Sequence, residues 1–151
     1  SGRRTSELFR MKVKDVNLSN QTFIILEKKG KRFIERLCPI TNTALPFWMD
    51  LLKDAKPNQF IFCDDFCPGD KPMTPEHVTK HWKRHVKEKL KIDADFYSIK
   101  HSNADDIAKN YGIGIAQSFI GHSSAAMTRL YATGQGARDL EVMKSLGNEF
   151  V

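Results

Sequence analysis

Two short runs rich in β-branched and aromatic residues, Thr22 to Leu26 and Arg32 to Ile40, constrain this chain more than any other feature. The residues between them, Glu27-Lys28-Lys29-Gly30-Lys31, are polar and include a glycine. The chain is therefore expected to turn back there and pair the two runs as an antiparallel hairpin. Lysines at such a tip also discourage edge-to-edge strand pairing. No comparable pair follows. From Thr41 to Asp54 the apolar residues Ala44, Leu45, Phe47, Trp48, Leu51 and Leu52 fall at helical intervals. One hairpin followed by helices predicts a mainly α domain with a small antiparallel sheet near its N-terminus, an α+β arrangement.

The other helices follow from their punctuation. Thr5 or Ser6 is placed to cap a short first helix, with Leu8, Met11 and Val13 facing a core. Lys56-Pro57-Asn58 closes the Thr41–Asp54 helix, and Phe60-Ile61-Phe62 is a short apolar piece before a loop from Asp64 to Pro72. Thr74 as cap and Pro75 at the first helical position open a strongly basic helix running to about Leu90. A further helix continues through Ala104 to Asn110 and ends at Gly112, and another covers Ile113 to Ile120. Gly134-Gln135-Gly136 reads as a flexible joint. Leu140, Met143, Leu146 and Phe150 then mark a last amphipathic helix.

At 151 residues the chain is long enough for one domain and short for two. Its 24 Lys and Arg against 18 Asp and Glu give a net charge of +6, which suggests a polyanionic partner. No apolar run approaches the roughly 18 residues of a membrane-spanning helix, and no hydrophobic signal core stands near the start. Cys38, Cys63 and Cys67 are odd in number, as expected of reduced thiols in a cytoplasm. His77, His81 and His85 recur every four residues and, with Cys63 and Cys67, raise the question of zinc. Nothing in the sequence sets the cysteines beside the histidines, so a basic helical face near DNA or solvent is the expectation.

Gly121-His122-Ser123-Ser124 forms a turn with a serine cap, and Tyr131 stands nine residues after His122, near the end of the short helix that should follow. Two readings fit this spacing: a capped helix with a structural histidine and a half-buried tyrosine, or a phenol nucleophile beside an imidazole suited to phosphoryl transfer. G-H-S-S with this downstream tyrosine resembles the C-terminal signature of the tyrosine recombinases, the phage integrase family. Other segments resemble the family in the same order. R-T-S-E-L, from Arg4 to Leu8, is similar to its first box and puts Arg4 at the first catalytic arginine. The hairpin is similar to the one that carries the family's lysine; K-x-G-K favours Lys28, and Lys29 is the alternative because a slip in the turn would exchange them. Cys38-Pro39-Ile40 is similar to the hairpin's exit. The second box, typically H-x-L-R-H, is met by Tyr97-Ser98-Ile99-Lys100-His101, with Tyr97 where His is usual and Lys100 where Arg is usual.

The resemblance implies a recombinase-like catalytic domain over residues 1–151, cut from a longer protein and without the N-terminal core-binding domain. It implies a transesterification in which Tyr131 attacks a DNA phosphodiester and remains joined to the 3′ phosphate. Arg4, Lys100 and His122 would stabilise the transition state, Lys28 would protonate the leaving oxygen, and Tyr97 could donate a hydrogen bond. Neither a metal nor a nucleotide cofactor is required. The implied partner is double-stranded DNA, in the cytoplasm at the nucleoid, in recombination or integration of a mobile element. The C-terminal helix is expected to serve self-association on DNA or to pack on its own domain, the isolated chain being then a monomer. The departures at Tyr97 and Lys100 motivate an alternative, a silent integrase-like domain that only binds DNA. A type IB topoisomerase is disfavoured by the short integrase-like boxes. An RNA-binding module is disfavoured because no aromatic, glycine-rich stacking motif is present.

Overall fold

The computed structural model of the chain describes residues 3–121 and 135–147. A first helix, α1 (Thr5–Leu8), leads through a single tight turn at Val13–Asp15 into strands β1 (Val16–Asn17), β2 (Thr22–Lys29) and β3 (Arg32–Pro39). Helices α2 (Leu45–Leu52), α3 (Pro75–Trp82), α4 (Ser98–Tyr111), α5 (Ile113–Ile120) and α6 (Gln135–Lys144) follow. The mainly helical architecture with one small antiparallel sheet is the expected one. The strands lie in the order β1-β2-β3, all antiparallel.

The hairpin is longer than its apolar runs, because pairing continues past Leu26 to Lys28 opposite Phe33 and Lys29 opposite Arg32. A two-residue turn, Gly30-Lys31, closes it. Gly30 has φ +61°, a left-handed value that glycine adopts without strain. Alternate residues of the pair face inward. Phe23, Ile25 and Cys38 join Met11, Ile40 and Ile61 in the first core, against which Leu8, Val13, Trp48 and Phe62 pack. The Trp48 ring stacks on Phe23 with centroids 5.4 Å apart. Burying one such ring contributes about 1.5–3 kcal/mol. A second core joins α4, α5 and α6 through Ile107, Ala116, Phe119, Ile120, Met143 and Leu146.

Four local expectations are corrected. Neither Thr5 nor Ser6 caps α1, because both are already inside it; Arg4 is the cap residue, and its N–H donates to Glu7 Oε2 at 3.0 Å. Phe47 lies on the outer side of α2 and is 64% exposed, since the buried stripe runs through Trp48, Leu51 and Leu52. The basic helix is not α-helical throughout: a π-helical turn occupies Lys83–Glu88. Gln135 and Gly136 are the first residues of α6 rather than a joint, and that helix ends at Lys144. Thr74 does cap α3, its side chain accepting from the His77 N–H at 3.4 Å. The described part of α6 packs on its own domain through Met143, with Leu146 just after the helix in the same core, and the Asn42 N–H donates to the Lys144 carbonyl at 2.6 Å.

Candidate active site

The chain leaves α5 through Gly121, whose φ of +84° and ψ of 26° are left-handed, as helix-ending glycines commonly are. The last carbonyls of a helix have no partner within it. Here they are met by two arginines from the other end of the chain. Arg36 Nη1 donates to the Gly121 carbonyl at 3.1 Å and Nη2 to the Ser118 carbonyl at 3.3 Å. Arg3 Nη1 donates to the Ile120 carbonyl at 3.2 Å. Glu27 Oε2 lies 3.2 Å from Arg36 Nη1, so the guanidinium is held from the sheet side as well. Arg3 is only 9% exposed, and burial pushes its guanidinium below its ordinary pKa, with the charge of Arg36 acting in the same direction. Burial likewise pushes the Cys38 thiol up.

The second expected box sits at the start of α4. Its approach is fixed from α3 and the π-helical turn: Trp82 Nε1 donates to the Ala94 carbonyl at 2.7 Å, and the Phe96 ring meets Trp82 edge-on at 5.5 Å. Lys87 lies 2.7 Å from Asp95 and 3.6 Å from Asp93. The Lys100 N–H donates to the Tyr97 carbonyl at 3.0 Å, which turns both side chains to one side. Lys100 Nζ stands over the Tyr97 ring, 5.5 Å from its centre. Tyr97 and Lys100 share a cavity of about 390 Å³ with Arg3, Asn103, Phe62 and Phe66.

The structure thus brings Lys100 and Tyr97 together, beside the arginine that holds the end of α5. Arg4 is exposed at the start of α1. Lys28 and Lys29 are exposed near the hairpin tip, on opposite faces of the strand. Lys29 falls on the same face as Glu27, Ile25 and the paired Arg36; Lys28 falls on the face of Leu26 and Ile24. His122 and Tyr131 lie outside the described residues, as does the helix expected between them.

The three histidines of the basic helix stack on one another. His77 and His81 are 4.9 Å apart at 14°, His81 and His85 are 5.2 Å apart at 28°, and Phe66 meets His81 edge-on at 5.0 Å. Asp64 Oδ1 lies 3.6 Å from His77 Nδ1. Among the described residues no three His, Cys, Asp or Glu side chains gather to hold a metal ion. Burial, then the neighbouring His77 and His85 and the charge of Arg84, hold His81 below its ordinary pKa.

Sequence reasoning missed Arg3, Arg36 and Glu27. A signal was present for Arg36: it stands two residues before the inward-facing Cys38, so strand alternation sends it inward too. An arginine at an inward position needs acceptors, and the end of α5 supplies them.

The model of the phage integrase family matches residues 1–138. Tyrosine recombinase XerA of Pyrococcus horikoshii is 28% identical over 133 residues, which are 87% of this chain and 46% of that protein. A tyrosine recombinase of Agathobacter rectalis is 26% identical over 138 residues, covering 87% of this chain and 43% of the relative. The chain spans less than half the length of these curated relatives. Among solved structures, a XerA recombinase superimposes with a TM-score of 0.62 at 18% identity, over 97% of this chain and 54% of that one. The Tn1549 transposon integrase, in complex with transposon right end DNA, gives 0.61 at 21% identity over 91% and 53%. These likenesses establish the same fold. With a family match over residues 1–138 and that fold, the chain belongs to the phage integrase family, that of the tyrosine recombinases.

Proposed function

We propose that residues 1–151 form a catalytic domain that cleaves and rejoins duplex DNA through a 3′-phosphotyrosyl intermediate, in site-specific recombination of a mobile element. The observation that supports this reading is the meeting of three distant segments at one place. The residue just before the first box, the hairpin and the end of α5 join through Arg3 and Arg36, and Lys100 lines the cavity beside Arg3. Arg3 and Arg36 are taken up by backbone carbonyls; the cations that a phosphoryl-transfer site needs around its phosphate are then Lys100 and the exposed Arg4 beside them.

In the proposed reaction the Tyr131 phenolate oxygen bonds to phosphorus and the bond to the 5′ oxygen breaks. The leaving oxygen takes a proton from a hairpin lysine. Strand alternation supports Lys29 over Lys28 for that role, because Lys29 shares the face from which Arg36 reaches Gly121. Arg4, exposed beside the buried Arg3, and Lys100 neutralise the non-bridging oxygens, and His122 adds a hydrogen bond. Tyr97 is a hydrogen-bond donor or a support for Lys100, since a phenol with a reference pKa of about 10 is a poor base at neutral pH. The phosphotyrosine retains the bond energy for rejoining, so the reading calls on no metal or nucleotide. The basic α3 and the π-helical turn after it lie along the DNA, in the cytoplasm at the nucleoid. Self-association on DNA would use the exposed side of α6, where Val142 lies, or the residues beyond it.

The test is a nicked duplex bearing the terminus of the element that encodes the chain, incubated with the full-length protein. A covalent protein–DNA adduct is expected, and none with Tyr131→Phe. Retention of DNA that falls steeply with salt, as counterion release requires, but with no adduct under any condition, would replace the enzyme by a DNA-binding relic. Lys100 in place of a forked arginine is the observation that favours that second reading.

A further inference from the structure

We propose that Arg36 is a positioning residue: it fixes, relative to the hairpin, the direction in which the backbone leaves α5 at Gly121. The recombinase reading enters only in the adduct measurement below; the geometry stands without it.

Ordinary helix termination does not call for this arrangement. A left-handed glycine and solvent suffice to end a helix, and Gly121 already donates its own N–H to the Gln117 carbonyl at 2.9 Å. Arg36 adds two directed bonds to carbonyls three residues apart, from a position 85 residues away in the chain. A planar guanidinium presents these two donors in a fixed geometry, which a flexible ammonium does not, so the charge alone does not explain the choice. The fork is itself aimed. Glu27, two residues along from Ile25, the strand partner of Arg36, holds Nη1 at 3.2 Å, and the two side chains are 25% and 19% exposed. Arg3, near the start of the sequence, closes the third carbonyl, at Ile120.

Two like charges are thereby set side by side. A built Cβ on Gly121 would meet Arg3 Nη1 first and Arg36 Nη1 at 2.7 Å. Such crowding is unfavourable unless something offsets it. Glu27 and the negative end of the α5 dipole both do so. The result is a rigid tie between the hairpin stem, whose tip carries Lys28 and Lys29, and the point where the G-H-S-S segment begins.

The test compares Arg36→Lys, Arg36→Gln and Glu27→Gln in the full-length protein. Hydrogen exchange of the 113–121 segment should quicken about tenfold in Arg36→Lys and Arg36→Gln and less in Glu27→Gln, while the 22–35 strands keep their protection. Adduct formation on the nicked duplex should fall by about tenfold or more in both Arg36 variants, with DNA retention unchanged. A 5′-bridging phosphorothiolate, whose leaving sulfur needs no general acid, should not restore the rate. Wild-type exchange and adduct rates in Arg36→Lys would overturn the proposal, because charge without the fork would then suffice. Recovery on the phosphorothiolate would also overturn it, since Arg36 would then act through the hairpin lysine. Should Arg36→Gln lose protection throughout the chain, Arg36→Lys decides alone. If the unaltered protein forms no adduct and the 113–121 exchange still responds, the recombinase reading fails and the positioning role stands.

Discussion

Lys100 holds its ammonium over the ring of Tyr97, three residues earlier, 5.5 Å from the ring centre. Such a contact contributes about 0.5–1 kcal/mol at an exposed site and keeps a flexible side chain in place. The two residues that differ from the expected second box are therefore linked: the aromatic ring steers the cation.

That link predicts an order of activities. Lys100→Arg should leave the adduct rate unchanged or raise it, because a fork replaces a point charge. Lys100→Ala should lower it roughly a hundredfold, the usual effect of removing one oriented transition-state donor. Tyr97→Phe keeps the ring and should resemble the unaltered protein in its demand for Lys100. Tyr97→Ala should cost activity even though Lys100 is present. Single-turnover rates on the nicked duplex give all four.

The hairpin lysines separate by face. Lys29→Ala should slow cleavage of an ordinary phosphodiester, and a 5′-bridging phosphorothiolate should restore most of the rate. Lys28→Ala should affect mainly the salt dependence of DNA retention. The reverse pattern would move the general acid to Lys28.

Gly121→Ala should destabilise the chain. A left-handed conformation costs an L-residue about 1–2 kcal/mol, and the new methyl group would collide with both guanidiniums. Urea denaturation should show a loss of about 2 kcal/mol or more. Gly30→Ala has the same kind of φ but open space around it, so its loss should stay near the conformational cost alone.

The histidine stack makes stability fall with acid. His81 is held below its ordinary pKa, so the unfolded chain binds the proton more readily than the folded one. Stability is then fully present above about pH 6.5, the reference value for histidine, and is lost as pH falls from there through the folded pKa. The melting temperature should drop between pH 7 and pH 5, and His81→Gln should flatten that slope.

The hairpin, the α2 stripe, the Thr74 cap and the ends of α4 and α5 were legible because each rests on local chemistry: turn residues, apolar spacing, a side-chain acceptor. Two kinds of feature were not. The π-helical turn at Lys83–Glu88 leaves no mark in a pattern of lysines that suits either helix. The joining of Arg3 and Arg36 at the end of α5 is a tertiary event, and the acceptors are backbone carbonyls, which every residue carries. The candidate residues could be named from motif order, but which face each hairpin lysine takes needed the strand pairing. In the same way, only the structure tells that of the two neighbouring arginines Arg3 is buried and Arg4 exposed.

Both faces of the hairpin are apolar. Phe23, Ile25 and Cys38 lie inward, and Ile24, Leu26, Phe33 and Leu37 stand at least 37% exposed on the other side. Hydrophobicity alone therefore does not choose between the observed alignment of the strands and one shifted by a residue, which would exchange the two faces. The choice falls to the closing turn, where Gly30 alone takes the left-handed value that a two-residue connection requires. A shift of β3 by one position would point Arg36 away from Gly121. A glycine with no contact to the site thus sets the alignment on which the site depends.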